Sequence, residues 1–421
     1  MPLLSAFSLL LKNKKTAYDI IILNGVEIFS MVLPLLLLPI LARSLGAAEY
    51  GKYVLVQAAA TLSSLIIEYG FNLSGTRLLI KSESQSEIQK IASDIFGAKL
   101  MLSIVLLMIT VIFHLFGLAP SLDHFLTIIL LTSLASGWLP MWYFQGTSRL
   151  PKYGVIDMSF RFLTVVAMFI FVRHPKDLYL ALYINAFGIL ISSLVNNLIV
   201  LKEVGSMKLN VRNSLSALLA ARGMAIYRAI SYSSGSINTL ILGALTSTHA
   251  VASYAGADKL ATGARFFITP FNQVFFGRVT ANRNSLKAAA REFKISLIVL
   301  LLTSLPIIAF GSLISQDIVR IFLGNDFGGT ERLLKYFLMT TPLYVISATL
   351  GLQWMIPMGH DRVYNTLLIS SNIIGISTMH VFIQKMGLSG VVASLATGQI
   401  LFIVSAFIYL AYKKINPILI R

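Results

Sequence analysis

The chain has 421 residues, of which 56% are hydrophobic and 12% are charged, and it contains no cysteine. Soluble domains average roughly 45–50% apolar and 25% charged residues, so a soluble fold of this size would lack the polar residues to cover its surface. The net charge of +17 would suit nucleic acid, but the basic residues form small clusters between apolar runs. The composition therefore predicts an integral membrane protein without a nucleic-acid partner, and it excludes thiol chemistry.

Apolar runs long enough to cross a bilayer follow one another along the whole chain. A crossing helix needs about 20 such residues, and this length predicts about twelve spans. The connecting segments are too short for a soluble catalytic domain. The predicted fold is therefore all-α, with spans at 20–42, 53–71, 92–116, 123–145, 154–172, 178–201, 224–246, 250–272, 293–315, 334–357, 363–384 and 388–412.

Lys and Arg residues are concentrated in alternate loops. About 21 of them lie on one side, about 8 on the other and about 5 within spans, and such positive loops face the cytoplasm. This asymmetry places both termini in the cytoplasm. Anionic lipid headgroups on that side are the expected partners of the excess positive charge.

Two short patterns recur roughly 200–213 residues apart, which indicates parallel repeats of six spans each. The predicted lobes are an N-terminal half over 1–210 and a C-terminal half over 211–421. In the first pattern, Leu45–Tyr53 is similar in sequence to Thr246–Tyr254. In the second, Trp142–Gly146 with Arg149 is similar to Gln353–Gly359 with Arg362.

Polar residues within the spans fall on single helix faces, at steps of three and four. Inserting a charge at mid-bilayer costs roughly 2.5–3.5 kcal/mol, so charged residues within spans indicate a structural or functional role. The stripes are Asn24 and Glu27; Gln57, Thr61, Ser64, Glu68 and Asn72; Asp157, Arg161 and Thr164; Arg228, Tyr232 and Thr239; and Asp258, Thr262, Arg265, Thr269 and Asn272, with Lys259 alongside.

Two interpretations of these stripes stay open. The first is that they only join helices by hydrogen bonds. In this interpretation Asp157 and Arg161 form a structural ion pair, and Asp258 forms another with a neighbouring cation. Lys99 and Glu68 are expected to reach the interface by snorkelling. The second is that the remaining cations line a water-filled cavity that binds pyrophosphate and acidic sugars. Its predicted members are Arg228, Lys259 and Arg265, with Tyr232, Trp142 and Trp354 as candidates for stacking on sugar rings.

No cofactor or metal site is predicted. The six histidines are scattered without the spacing of metal ligands. The segment Gly46–Lys52 matches most of a phosphate-binding loop, but Tyr53 stands where Ser or Thr would hold magnesium, and no strand precedes it.

Several segments resemble the polysaccharide transporter family, the O-antigen flippases (Wzx-type) of the multidrug/oligosaccharidyl-lipid/polysaccharide exporter superfamily. The similarity covers nearly the whole chain. It lies in Leu45-Gly46 with Tyr50-Gly51 and Tyr53, in Glu68–Arg77, in Trp142–Gly146, and in Tyr254, Ala257 and Lys259-Leu260.

The resemblance implies a V-shaped bundle of two six-helix lobes in a bacterial inner membrane. Such proteins move an undecaprenyl-pyrophosphate-linked glycan to the periplasmic leaflet by alternating access, and a polymerase and a chain-length regulator act in the same pathway. The resemblance also places Arg77 in a recurrent motif. The predicted substrate-binding residues are Arg228, Lys259, Arg265, Arg161, Arg77 and Tyr232. The candidates for proton or sodium coupling are Glu27, Glu68 and Asp258.

Three alternatives stay open at this point. A cation-coupled drug exporter of the same superfamily would favour an acidic cavity, whereas the charges within these spans lean slightly basic. A peptidoglycan-precursor flippase would have more spans. An O-antigen polymerase or ligase would need a sizeable external loop, which the sequence lacks.

The predicted topology has a direct test. Alkaline phosphatase fused after Arg421 is expected to be inactive, because the C-terminus would lie in the cytoplasm and the reporter folds only in the periplasm. A fluorescent protein at the same position should fluoresce and serves as the expression control. A map that reveals a large periplasmic loop would favour the enzyme alternative.

Overall fold

The computed structural model describes residues 14–118 and 123–420, with the side chains of 14–21, Tyr227 and 230–234 outside the description. Throughout these ranges the chain forms helices joined by short turns, and the described residues contain no strand. The chain divides into two compact units. The first comprises Met1–Leu45 and Lys52–Leu240, and the second comprises Gly46–Gly51 and Ile241–Arg421. The lobes predicted at 1–210 and 211–421 stay a prediction.

The helices of the first unit are, in chain order, α1 Lys14–Glu68, α2 Phe71–Lys81, α3 Gln85–Leu115, α4 Leu126–Gly137, α5 Met141–Gly146, α6 Leu150–Phe171, α7 Leu178–Val204 and α8 Val211–Leu245. Residues Gly46–Gly51 of α1 belong to the second unit, and α8 continues a few residues into it. The helices that follow are α9 Thr248–Arg265, α10 Thr269–Ala281, α11 Leu286–Leu313, α12 Ser315–Phe322, α13 Thr330–Met339, α14 Thr341–Ala348, a π-helical segment Thr349–Met355, α15 Asp361–Met386 and α16 Ser389–Tyr412.

Within the described residues, 9 helices are long and apolar enough to cross a membrane. This finding confirms a multi-pass membrane protein. The first two predicted spans fall within one candidate, Ile22–Lys81. Of the predicted seventh span, only the shorter apolar helix Gly235–Leu245 is found. Most of the predicted eighth span lies on α9, which is not among the 9 candidate helices of the described residues because it carries several polar residues. The twelve-span count and the cytoplasmic termini stay predictions.

Helix α1 contains a kink at Gly46, between its first two predicted spans. Gly46 has φ 70° and ψ 170°, a backbone conformation that side-chain-bearing residues rarely adopt. A Cβ at this position would also lie 3.2 Å from a carboxylate oxygen of Asp326. The long helix can therefore change direction here because residue 46 is glycine.

A fully buried tryptophan lies at the centre of the core of each unit. Trp142 in α5 packs against Phe71, Ile95 and Val200. Gly75 permits this contact, because a Cβ there would lie 3.1 Å from the indole ring. In the second unit, Trp354 of the π-helical segment belongs to a buried core with Phe293, Leu350, Phe402 and Leu410. Both tryptophans belong to the repeated pattern of the sequence.

Two glycines of the second unit provide a matched stability test. A Cβ on Gly51 would collide with the backbone carbonyl of Thr248, so Gly51→Ala is expected to destabilise the protein by about 1–3 kcal/mol. Gly277 in α10 has no atom within 4 Å of the same position. Gly277→Ala is therefore expected to be neutral or to stabilise by up to about 1 kcal/mol, since alanine favours helix. Thermal unfolding of the detergent-solubilised protein measures both, and equal effects would contradict the packing argument.

Candidate functional site

A buried carboxylate joins three helices of the first unit. Glu68 ends α1, and its carboxylate accepts hydrogen bonds from the backbone N–H groups of Gly70 (3.3 Å) and Asn72 (3.1 Å), at the start of α2. The same carboxylate forms an ion pair of 3.2 Å with Arg228 of α8. The two side chains are only 8% and 15% exposed. Glu68 thus caps one helix and neutralises a cation on another.

Lys99 of α3 fills the break between α4 and α5. Its side chain is buried, and its ammonium donates to the carbonyl oxygens of Gly137 (2.8 Å) and Leu139 (3.5 Å). These carbonyls lie at and just beyond the C-terminal end of α4, where the helix dipole favours a positive charge. Asn197 satisfies the carbonyl of Trp138 between them, at 2.9 Å.

The expectation that Lys99 and Glu68 snorkel to the interface is wrong. Both side chains are buried inside the protein, at 1% and 6% exposure. Each of them satisfies backbone groups at a helix break. In hydrocarbon these groups have no water to bind and must be satisfied internally.

The expected pair on α6 is confirmed. Arg161 donates to Asp157 one turn earlier, at 2.8 Å, and Ser192 of α7 donates to the other carboxylate oxygen at 2.8 Å. Asp157 is buried, whereas the Arg161 side chain is 51% exposed. The pair anchors α6 to α7 and leaves the guanidinium at the protein surface.

In the second unit, the hydrogen-bond acceptors of the two cations are neutral. Arg265 at the end of α9 donates to the Phe337 carbonyl (2.7 Å) and the Thr340 hydroxyl (2.9 Å), where α13 ends, and its guanidinium lies 5.4 Å from the ring centre of Tyr344. Lys259 donates to the hydroxyl of Tyr50 at 3.3 Å. Asp258 attracts both cations electrostatically.

The structure thus groups the predicted site residues in two sets. One set lies in the first unit around Glu68 and Arg228, and the other lies in the second unit around Asp258, Lys259 and Arg265. Arg77 and Glu27 are exposed on other faces of the first unit. The side chain of Tyr232 lies outside the described residues.

Trp142 and Trp354 cannot stack on a sugar in this structure. Both have 0% exposure, and the indole nitrogen of Trp354 donates to the carbonyl of Ile415 at 2.9 Å. The suggested stacking role is wrong, since these rings form the cores of the two units.

Sequence reasoning missed two polar networks. Arg149, between α5 and α6, forms a two-pronged contact with Glu203 at 2.7 and 2.6 Å, and Tyr143 also donates to that carboxylate. These hydrogen bonds raise the pKa of the Arg149 guanidinium above its ordinary value. Arg149 lies just after the Trp142–Gly146 motif, and this position in a repeated pattern was the sequence feature that could have indicated a role for it.

The second missed network lies in the second unit. Gln353 accepts a hydrogen bond from Ser296 at 2.7 Å and donates to Asn272 at 2.7 Å. Gln353 belongs to the π-helical segment, a local irregularity that often marks functional positions. Among the described residues, His, Asp and Glu form no group able to hold a metal ion.

Comparison with known proteins supplies further findings. A family model described as "Polysaccharide biosynthesis protein" matches residues 17–281. A curated relative from Shigella dysenteriae, named "Putative O-antigen transporter", is 26% identical over 396 residues, which cover 91% of this chain and 97% of the relative. A relative of the same name from Escherichia coli (strain K12) is 26% identical over 374 residues, covering 85% and 88%.

Two solved structures share the fold. The lipid II flippase MurJ, in an inward closed conformation, aligns with a TM-score of 0.74 at 14% identity, covering 94% of this chain and 90% of that one. A multidrug resistance MATE family transporter of the MOP superfamily, in an outward-facing conformation, aligns with a TM-score of 0.57 at 14% identity, covering 94% and 95%. The sequence matches confirm the resemblance to the polysaccharide transporter family, and the relatives are named as transporters.

The Glu68–Arg228 pair predicts strong energetic coupling. Arg228→Met leaves a buried carboxylate without this cation, and Glu68→Gln leaves a buried guanidinium without its charge partner. Each change is expected to cost about 3–5 kcal/mol. The double variant should cost less than the sum of the two, which a double-mutant cycle of unfolding measures.

Arg161→Met provides the matched control for that cycle. It removes the same charge from a pair whose cation is 51% exposed, so a smaller cost of about 1–3 kcal/mol is expected, because the buried carboxylate of Asp157 keeps its hydrogen bond from Ser192. Strictly additive effects of Glu68→Gln and Arg228→Met would contradict direct coupling.

Proposed function

We propose that this chain, which belongs to the family of polysaccharide biosynthesis proteins, is a flippase for a lipid-linked glycan in a bacterial inner membrane. Its substrate would be an undecaprenyl-pyrophosphate-linked oligosaccharide, such as an O-antigen repeat unit. The polar head would pass from the cytoplasmic to the periplasmic leaflet by alternating access. The names of two relatives that cover most of the chain support this assignment.

The observation that carries the proposal is the pair of partly buried cations in the second unit whose hydrogen-bond acceptors are neutral oxygens. Lys259 donates to the hydroxyl of Tyr50, and Arg265 donates to a carbonyl and a hydroxyl. A phosphate oxygen binds such donors more strongly than a neutral oxygen does, because the hydrogen bond becomes charge-assisted. A pyrophosphate can therefore replace these partners with a gain in binding energy.

Glu68 is our preferred candidate for ion coupling, ahead of Asp258 and Glu27. Its carboxylate is the charge partner of Arg228, at 3.2 Å. Loss of that charge would weaken the ion pair with Arg228 and favour its binding to a substrate anion instead. Proton coupling would thus link carboxylate titration to substrate binding in the first unit.

The alternatives gain less support. A polymerase or ligase is disfavoured, because relatives that match along most of the chain are named as transporters. A drug exporter shares the fold, but a fold alone does not specify a substrate. The basic side chains favour an anionic cargo over a cationic drug.

Complementation of a flippase-null strain tests the proposal. Lys259→Met keeps the length of the side chain and removes its charge, so it is expected to reduce surface O-antigen at least about tenfold, the effect of losing one charged hydrogen bond. Arg228→Ala and Arg265→Ala should also reduce it. Surface polymer is measured by gel electrophoresis, with protein level in the membrane determined in parallel.

Tyr50→Phe is the matched control for Lys259→Met. It removes the hydroxyl that accepts from Lys259 and keeps the cation, so transport should remain near the wild-type level. Normal polymer from the Arg228, Lys259 and Arg265 variants at normal protein level would remove these residues from the site and would argue against a cationic passage.

A further inference from the structure

A polar cavity in the second unit lies apart from the cations discussed above. Its volume is about 470 Å³, within the range of roughly 300–1,000 Å³ typical of small-molecule sites. Ser247, Ser253 and Arg332 are among its lining residues, together with Ser389. In the predicted topology the segments that contribute them face the periplasm.

Three helices begin at this cavity. They are α9, α13 and α16, and the residues next to their first turns line its wall. The start of α13, at Gly329, and the start of α16, at Leu388, have no side-chain hydrogen-bond cap. Backbone N–H groups at helix starts, together with the helix dipole, favour an anion.

A serine in the cavity wall provides an independent observation. Ser253 is only 3% exposed and lines the cavity, and its hydroxyl makes no hydrogen bond with the other described residues. The hydroxyl of Thr330, the first residue of α13, is also buried without a partner in the described part of the chain. Buried polar groups are normally satisfied, so unpartnered ones indicate a missing ligand or water.

The charges at the cavity are mixed. Arg332 is exposed and forms no ion pair within the described ranges, so its forked guanidinium is available to a phosphate. Glu331 lines the same cavity, and a carboxylate accepts hydrogen bonds from hydroxyl groups. His249 is engaged with the backbone carbonyl of Asp326 at 2.9 Å. The donors favour a phosphate, and the carboxylate favours a ligand that also carries hydroxyls.

We propose that this cavity is a binding site for the phosphate ester of a polyol. The phosphate lies against Arg332 and the uncapped starts of α13 and α16, Ser253 donates to a phosphate oxygen, and Glu331 accepts from a polyol hydroxyl. Both a phosphoglycerol lipid headgroup and a free polyol phosphate have this chemistry. The site does not depend on the proposed transport function.

The test is thermal unfolding of the full chain in neutral detergent, with glycerol 3-phosphate as the probe and sodium chloride at matched ionic strength as the reference. The probe is expected to raise the melting temperature of the wild-type protein, because a ligand of the folded state stabilises it. For Arg332→Gln the half-saturating concentration should rise about tenfold, since a charged hydrogen bond is lost. For Ser253→Ala it should rise less.

Lys335→Gln is the matched control, since it removes one positive charge from the same helix at a residue outside the cavity lining. It should bind the probe as the wild type does. A second arm replaces the probe by short-chain phosphatidylglycerol, with phosphatidylcholine as reference. Stabilisation by this lipid alone assigns the site to a lipid headgroup, and stabilisation by glycerol 3-phosphate assigns it to free polyol phosphates.

Three results would overturn the proposal. The first is no stabilisation of the wild type by either probe. The second is equal half-saturating concentrations for the wild type, Arg332→Gln and Ser253→Ala. The third is an equal loss in Lys335→Gln and Arg332→Gln, which would indicate a general charge effect. Ser253→Ala keeps the test valid if Arg332→Gln does not fold.

Discussion

The structure depends on satisfying backbone polar groups where helices break inside the membrane. Hydrocarbon offers no hydrogen bonds, so each freed N–H or carbonyl needs a partner from the protein. Charged side chains are used for this purpose. Glu68 accepts from the N–H groups that start α2, Lys99 donates to carbonyls beyond α4, and Arg265 donates to a carbonyl at the end of α13.

This arrangement links helix geometry to ligand binding. Under the proposed function, a substrate phosphate that bound Arg265 would compete with the Phe337 carbonyl, which would then lose a partner at a helix end. Binding of the anion would therefore alter the energy of the helix break itself. Transporters that use interrupted helices at their binding sites have the same physical basis, and rigid-body movement of the segments on either side is the expected response.

The sequence predicted the class of fold and the polar faces of the helices, because these follow from local periodicity. It did not predict the partners. Arg228 lies 160 residues from Glu68, and Lys99 lies 38 residues from Gly137, so spacing along one helix carries no information about them. Lys99 was assigned to the interface because a lone lysine near a span end usually lies there, whereas here a neighbouring helix break holds it inside.

The two units hold their cations at different energetic cost. In the first unit, Arg228 is paired with the buried carboxylate of Glu68, and separating a buried ion pair is strongly unfavourable. In the second unit, the hydrogen-bond acceptors of Lys259 and Arg265 are neutral oxygens, and Asp258 also attracts both cations. Under the proposed function, a phosphate that displaced these oxygens would replace neutral acceptors with charged ones. A phosphate that bound Arg228 would instead compete with the Glu68 carboxylate, which is why Glu68 is the preferred candidate for the proposed ion coupling.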